Sequence, residues 1–142
     1  MTKNIHEVFE ELEAAPHKDA AKAILLYNMT PGLRAVLRAN FHPEIKFVID
    51  EIPPYRVNDA PIGLGDTSIH KEMNRIYIFE QNSPRVDPNL TLERKKQILT
   101  QILEGLEAKE AKIYGDMLLK RIKVKHLSKK LIEEVFPDMF SY

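Results

Sequence analysis

The sequence predicts a mainly α-helical protein, a single compact domain over residues 1–142 made of about seven short helices. Apolar residues recur at helical spacing through most of the chain, and capping residues, prolines and glycines divide it into short segments. The exception is a long proline- and glycine-rich stretch, residues 50–66, which is expected to form an ordered loop. At most a minor strand pair is expected beside the helices.

Three helices are predicted in the first part of the chain. Asn4, with a glutamate three residues later, has the form of a capping box and begins a helix over residues 5–14. Residues 17–28 are rich in alanine and leucine and predict a second helix, which is expected to be well buried. Thr30 and Pro31 form the strongest start signal, a capping hydroxyl before a proline at the first helical position, and the third helix ends at Phe41.

The middle of the chain is expected to be extended. Residues 45–49 are β-branched, aromatic and partly alternating, which is typical of a short strand. Residues 50–66 then form a longer connection than is usual in a compact domain, so the segment is either functional or disordered. Its apolar side chains favour an ordered loop pinned to the helical body, and they are Ile52, Tyr55, Val57, Ile62 and Leu64.

Four more helices are predicted after this loop. The first begins at the capping residues before Ile69 and ends near Gln81, and Thr91 caps the next, which ends at Gly105. A sixth helix covers residues 106–119. Its Gly115 costs about 1 kcal/mol relative to alanine, which indicates close backbone packing. Residues 120–126 alternate charged and aliphatic side chains, as expected for an extended connector, and the last helix covers residues 129–135.

Composition excludes several functional classes. The chain has no cysteine, so thiol catalysis, disulfides and cysteine-ligated metals are impossible. No apolar run reaches the ~20 residues of a membrane span, and the N-terminus lacks the apolar core of a secretory signal, so we expect a cytoplasmic protein with no membrane association. Twenty-one basic residues balance twenty-one acidic ones, which makes direct binding to nucleic acid a minor alternative.

The motifs of known catalytic and ligand sites are absent. The five histidines have no metal-ligand spacing, so no metal site and no cofactor are expected. Gly63 and Gly65 precede a helix but lack the lysine of a phosphate-binding loop, which favours turn glycines. His70 with Glu72 is the best place for a general base, but no partner for it is evident. The acidic first and last helices are either solvated faces or docking surfaces.

Two groups of residues are candidate contacts with a partner. Tyr55 and Arg56 combine an aromatic anchor with a guanidinium, as interface hot spots do, although a buried tyrosine fits equally well. The second group is the one basic concentration in the chain, and it is either solvated surface, a protein contact or a nucleic-acid contact. Its candidate partner-binding residues are Lys123, Lys125, His126 and Lys129.

A family resemblance adds a biological context. Six segments occur in a fixed order along nearly the whole chain: Phe9–Leu12, Pro53–Tyr55, Arg75–Phe79, Ile102–Leu106, Lys109–Ala111 and Leu131–Pro137. This ordered set resembles small accessory proteins of tailed phages related to the T-even group, most of all those that bind RNA polymerase of the host. The resemblance implies a non-enzymatic protein that docks on host RNA polymerase and alters transcription, but it supplies no contact residues.

Two alternatives from other classes stay open. One is a small enzyme or binding protein that acts on nucleotide or nucleic acid, with residues 63–72 as its site. The other is a structural or assembly protein of the phage particle. Neither the net charge nor the helical composition distinguishes these functions from docking on a polymerase.

Overall fold

The computed structural model describes residues 3–59 and 67–141. Within these ranges the chain forms seven α-helices and one 3₁₀ helix, and no β-strand. The α-helices are α1 (Ile5–Ala14), α2 (Lys18–Asn28), α3 (Pro31–Phe41), α4 (Ile69–Glu72), α5 (Leu92–Gly105), α6 (Ala108–Leu118) and α7 (Lys129–Val135), and the 3₁₀ helix is Met73–Phe79. The predicted mainly α-helical fold is confirmed.

The helices begin where the sequence places capping side chains. Asn4 and Glu7 form the capping box of α1. The hydroxyl of Thr30 accepts a hydrogen bond from the N–H of Leu33 at the start of α3. Thr91 at α5 and Ser128 at α7 act in the same way. These caps satisfy N–H groups that have no partner within their own helix.

Helix α6 lies at the centre of the helical array, where it contacts α1, α3, α4 and α5. Tyr114 and Met117 are fully buried on α6, and Leu33, Val36 and Leu37 are buried on the facing side of α3. The buried apolar residues of all these helices belong to one hydrophobic cluster. Burial of this cluster is the main term that holds the short helices together, since isolated helices of about 11 residues are marginal in water.

The fourth predicted helix is different in the structure. Its α-helical part, α4, ends after one turn at Glu72, and the chain continues to Phe79 as a 3₁₀ helix. The 3₁₀ helix has three residues per turn, so Met73, Ile76 and Phe79 come to lie on one side. Phe79 is fully buried there. The apolar spacing in this segment therefore satisfies a 3₁₀ helix better than the α-helix that was predicted.

The short strand expected at residues 45–49 is reduced to one isolated antiparallel bridge between Phe47 and Glu80. Two backbone hydrogen bonds of 2.8 Å, from Val48 to Phe79 and from Gln81 to Lys46, make this bridge. It ties the segment after α3 to the end of the 3₁₀ helix. The prediction of at most a minor strand pair is thus confirmed.

We call residues 50–59 the ribbon, which is the described part of the predicted long loop. Ile52 and Tyr55 pack against the core, as expected, whereas Val57 is 59% exposed and does not pin the ribbon. A Cβ on Gly115 would lie 3.3 Å from Ile52, so the glycine of α6 permits a close approach by the ribbon, as the sequence indicates. Residues 60–66, with the predicted turn glycines and two of the predicted pinning side chains, are outside the described residues.

The C-terminal end of α5 holds the chain on both sides of residues 60–66. The side-chain amide of Asn58 donates to the backbone carbonyl of Glu104, and the backbone N–H of Thr67 donates to the carbonyl of Gly105. Carbonyls at a helix C-terminus lack intrahelical partners, so these two bonds supply them with donors. They also attach the chain on both sides of residues 60–66 to the end of α5. Within the described ranges, no helix has both the length and the apolar character that crossing a bilayer requires.

Candidate functional site: a charged groove and an exposed helix face

The two ribbon residues predicted to contact a partner have different environments. Tyr55 is half-buried against the core, so the structure favours its pinning role, although part of the ring is accessible. Arg56 is exposed, and its backbone N–H donates to the carboxylate of Glu104 at 2.8 Å. The predicted basic group lies in residues 123–129, so the two candidate groups belong to different parts of the chain.

We call residues 120–127, between α6 and α7, the connector. Exposure alternates along it as predicted: the odd-numbered residues 121, 123 and 125 are exposed, and residues 122 and 124 are half-buried. This alternation is that of an extended chain with one face inward. The side chains of Arg121, Lys123 and Lys125 therefore share one outward face.

Three other basic residues of this region have structural contacts. The ammonium of Lys120 donates to the backbone carbonyls of Ala39 and His42, at 2.9 and 2.7 Å, at the C-terminal end of α3. His126 lies 3.0 Å from the carbonyl of Ala15. Lys129 forms an ion pair with a glutamate one turn later on α7 and lies over the ring of Phe140. Folding thus engages His126 and Lys129, two of the predicted contact residues, and does not engage the side chains of Lys123 and Lys125.

A groove of about 410 Å³ lies between α1, α6 and the connector. We call it the α1/α6 groove. Its lining consists of His6, Phe9, Glu10, Glu13, Lys109, Lys112, Ile113, Asp116, Arg121 and Lys123. Lys123 is the predicted contact residue that reaches this groove, and its neighbour Arg121 was not among the predicted contact residues.

Most charges of the α1/α6 groove are paired with one another. Lys109 forms an ion pair of 2.7 Å with Glu10, which lowers the pKa of that carboxyl, and Lys112 pairs with Asp116 at 3.2 Å. Arg121 and Lys123 have no side-chain partner among the described residues. Their positive charges are therefore the available ones on the wall of the groove.

His6, which lines the α1/α6 groove, belongs to a buried polar cluster at the meeting point of two helix N-termini. Nδ1 of His6, in the first turn of α1, lies 3.7 Å from a carboxylate oxygen of Glu107 and 3.6 Å from one of Glu110. Glu107 caps α6, and Glu110 lies in its first turn. All three side chains are buried. We call them the junction cluster.

The N-termini of α1 and α6 stabilise the buried carboxylates of the junction cluster. Glu110 accepts a hydrogen bond from the backbone N–H of His6, one of the free N–H groups at the start of α1. Glu107 accepts from the N–H of Lys109 at the start of α6. Helix N-termini carry partial positive charge, which favours carboxylates there. Burial nevertheless raises the pKa of Glu110 above its ordinary value of 4.5.

Residues proposed for general-base chemistry, His70 and Glu72, have other neighbours. Glu72 is buried, and its carboxylate accepts hydrogen bonds from the guanidinium of Arg75 and the hydroxyl of Thr67. His70 packs over Gly32, whose position leaves no room for a Cβ. The arrangement is a structural ion pair and a packing contact. No group of three or more potential ligand side chains in residues 3–59 and 67–141 is arranged to hold a metal ion.

The exposed face of α2 was missed by the sequence analysis, which expected this helix to be well buried. Only Ala21 and Leu25 are buried on it, whereas Tyr27 is 88% exposed and Leu26 is 61% exposed. The composition of α2 is apolar on more than one side, so its apolar residues exceed what one buried face can hold. Exposed Ala23 lies one turn before these two residues, on the same side of the helix.

A comparison with models of protein families identifies the family of this chain. The Family of unknown function (DUF6433) matches residues 8–129. The chain belongs to this family. No curated protein matches the sequence.

The part of the chain that matches DUF6433 contains both surfaces described above. It includes the exposed face of α2 and every residue that lines the α1/α6 groove except His6. It also includes the ribbon and the whole connector. The family is one of unknown function, so the role of these surfaces is inferred from the geometry of their residues.

Proposed function

We propose that this DUF6433 protein is a non-catalytic, phage-encoded docking protein that binds host RNA polymerase in the host cytoplasm and modulates transcription. The choice of partner rests on the resemblance of the six ordered segments to accessory proteins of T-even-related phages. The observation that carries docking as the mode of action is the pair of exposed apolar side chains on α2, Leu26 and Tyr27.

These two residues suit a protein interface for physical reasons. Tyrosine supplies a large, rigid contact area with few rotatable bonds and is enriched at interface hot spots. The adjacent side chains of Leu26 and Tyr27 expose apolar surface to water, which is unfavourable, and a bound partner would cover that surface. Exposed Ala23 extends the same face by one turn and lets a partner approach the helix backbone.

Helix α2 is a rigid support for this contact. Leu25 is fully buried beneath it, and Lys22 forms an ion pair of 3.1 Å with Glu134 of α7. Residues held in place before binding lose little conformational entropy when a partner docks. The face therefore offers contact area at a low entropic cost.

Affinity purification tests this proposal. Tagged protein is mixed with host-cell extract and with purified polymerase, and the recovered subunits are quantified. The unmodified chain is expected to recover polymerase, and the double substitution Leu26→Ala with Tyr27→Ala is expected to reduce recovery at least about tenfold, as for loss of a hot spot. No recovery of polymerase by the unmodified chain would refute the choice of partner.

Two further variants separate the candidate surfaces. Leu92→Ala removes another apolar side chain that is 45% exposed and is the matched control, with unchanged recovery expected. Arg56→Ala tests the ribbon as a contact surface. A loss with Arg56→Ala and none with the α2 double substitution would move the docking surface to the ribbon.

Binding of nucleic acid is a second candidate function, and the exposed cations Arg121, Lys123 and Lys125 favour it. Against it, twenty-one acidic residues balance the twenty-one basic ones, so the chain has no net charge to attract a phosphate backbone. Electrophoretic mobility of labelled DNA and RNA with the purified protein tests this candidate. A complex whose affinity falls steeply with salt would favour nucleic acid over protein docking.

A further inference from the structure

Most backbone N–H groups of the connector beside the α1/α6 groove are hydrogen-bonded to described residues, and that of Lys123 is the exception among its outward-facing residues. The N–H of Arg121 donates to the carbonyl of Asp116, and the N–H of Lys125 donates to the carboxylate of Glu13. Both acceptors belong to residues that line the groove. The N–H of Ile122, by contrast, donates to Asn40 on α3, away from the groove.

These bonds fix the direction of the backbone groups of Lys123. In an extended chain, N–H and C=O groups of alternate residues point to the same side. Those of residues 121, 123 and 125 therefore point towards the groove. Neither the N–H nor the C=O of Lys123 is hydrogen-bonded to another described residue, so the groove contains one free donor and one free acceptor from the same peptide segment.

The charge around this free edge is positive. Four basic side chains and three carboxylates line the groove, apart from His6, and two of the carboxylates are already in ion pairs. The third, Glu13, is held by the N–H of Lys125. The side chains of Arg121, Lys123 and Lys125 have no partner among the described residues, and they project from one face of the connector.

We propose that the α1/α6 groove binds an extended acidic segment of a partner protein, which adds as a strand to the edge of the connector at Lys123. Its backbone would pair with the N–H and C=O of Lys123, and alternate carboxylates would lie opposite Arg121, Lys123 and Lys125. The intervening side chains face the apolar floor at Phe9 and Ile113. This proposal takes the protein class of the partner from the proposed function, but it does not depend on polymerase.

The charge pattern distinguishes this occupant from two others. A second copy that paired through the same edge would place like charges opposite one another, which destabilises a strand pair. A DNA backbone has no donor for the free carbonyl of Lys123, and an RNA backbone offers only its 2′-hydroxyl, so neither matches the paired N–H and C=O of an extended peptide. An acidic peptide satisfies both the free N–H and the free C=O as well as the three cations.

Fluorescence anisotropy with a synthetic probe tests the proposal directly. The probe is a labelled, acetylated peptide in which glutamate alternates with valine, and its counterpart carries glutamine in place of each glutamate. Saturable binding in the micromolar range is expected for the acidic peptide. The glutamine peptide is expected to bind at least about tenfold more weakly, because it lacks the charge pairs. Equal binding of the two peptides, or no binding of either, would overturn the proposal.

Variants of the protein and of the peptide locate the binding. Arg121→Ala with Lys123→Ala is expected to weaken binding about tenfold. Lys130→Ala, which removes an exposed lysine of α7 outside the groove, is the control and should leave binding within about twofold. Peptides N-methylated on alternate residues test strand addition: methylation in the register that faces Lys123 should abolish binding, and methylation in the other register should not. Equal effects of both registers would refute backbone pairing.

The same assays keep this proposal separate from docking on polymerase. The α2 double substitution should bind the acidic peptide as the unmodified chain does. If the peptide binds and no polymerase is recovered, the groove proposal stands and the partner is another protein. If polymerase is recovered but the acidic peptide does not bind, docking stands and the groove proposal fails. Tighter binding of a DNA or RNA oligonucleotide than of the acidic peptide would also overturn the groove proposal.

Discussion

The junction cluster and the connector handle charge in opposite ways. At the junction, His6, Glu107 and Glu110 are buried where two helices begin, and they hold α1 to α6. On the connector, Arg121 and Lys123 are exposed and support no other described element. A buried charge constrains the fold and is costly to change, whereas an exposed charge without a partner is free to bind one.

Lys120 shows that the difference follows from contacts and not from chain position. It is adjacent to Arg121, yet its ammonium holds two carbonyls at the end of α3, and burial lowers its pKa. A cation placed at a helix C-terminus also interacts favourably with the helix dipole. Within two successive residues, the chain changes from a charge that stabilises the fold to one that is available to a partner.

Removing Glu110 should give the largest loss of stability. Glu110→Ala leaves the N–H of His6 without an acceptor and its ring without one of two carboxylates, so we expect a loss of about 3 kcal/mol in the free energy of unfolding. Urea denaturation followed by circular dichroism measures it. Glu133→Ala, at a half-exposed ion pair on α7, is the control and should cost no more than about 0.5 kcal/mol. Equal losses in the two variants would show that burial does not separate the regions.

Lys120→Ala should cost about 1 to 2 kcal/mol, because two charge-assisted hydrogen bonds to the end of α3 are lost. The matched control is Lys123→Ala, three residues later in the same connector, which is expected to change stability by less than about 0.5 kcal/mol. Thermal and urea unfolding of the two variants give the comparison. If Lys123→Ala were as costly as Lys120→Ala, the connector would need its exposed cation for folding, contrary to our interpretation.

The junction cluster should also make stability depend on pH. Burial raises the pKa of Glu110 above 4.5 in the folded protein, so between 4.5 and the raised value the folded state binds more protons than the unfolded chain. The contribution of this carboxyl to stability is therefore present at and below its ordinary pKa and is lost as the pH rises through that window. His6 and Glu107 face the same carboxyl, with opposite effects on its pKa.

Glu110→Gln isolates this effect, since glutamine has the shape of a protonated glutamate and still accepts a hydrogen bond. Relative to the unmodified protein, the variant should gain stability as the pH rises above 4.5. Exposed pairs such as Lys109 with Glu10, where the pKa of the carboxyl is lowered, act in the opposite direction, but they are common to both proteins and cancel in the difference. Parallel stability curves from pH 4 to pH 8 would contradict the prediction.

The helices were predictable from local signals, and the surfaces were not. Thr30, Thr91 and Ser128 mark helix starts within a few residues of chain, and the structure confirms each start. The contact between His6 and Glu110 joins residues 104 positions apart, so no local pattern could pair them. One signal was present: Glu110 lies one turn before Tyr114, on the buried side of α6, where an unpaired carboxylate would be costly.

The exposure of α2 shows a second limit of sequence reasoning. Apolar content predicted burial, but a helix of 11 residues that packs on α1 and α7 can bury only part of its circumference. Which apolar residues stay outside depends on the tertiary neighbours, and here Leu26 and Tyr27 do. The alternation of residues 120–126 was read correctly because an extended segment with one face inward has a period of two.

The joint replacement of Arg121 and Lys123 by alanine should combine the smallest effect on stability with a large effect on peptide binding. Arg121 and Lys123 have no side-chain partner among the described residues, so their joint replacement by alanine should change the free energy of unfolding by less than about 0.5 kcal/mol. Both side chains are exposed, and removal of two neighbouring like charges slightly favours the folded state by reducing their repulsion. Urea denaturation and peptide binding measured on one preparation test both halves. A joint loss of stability and binding would assign these cations to the fold, and the contrast with the junction cluster would disappear.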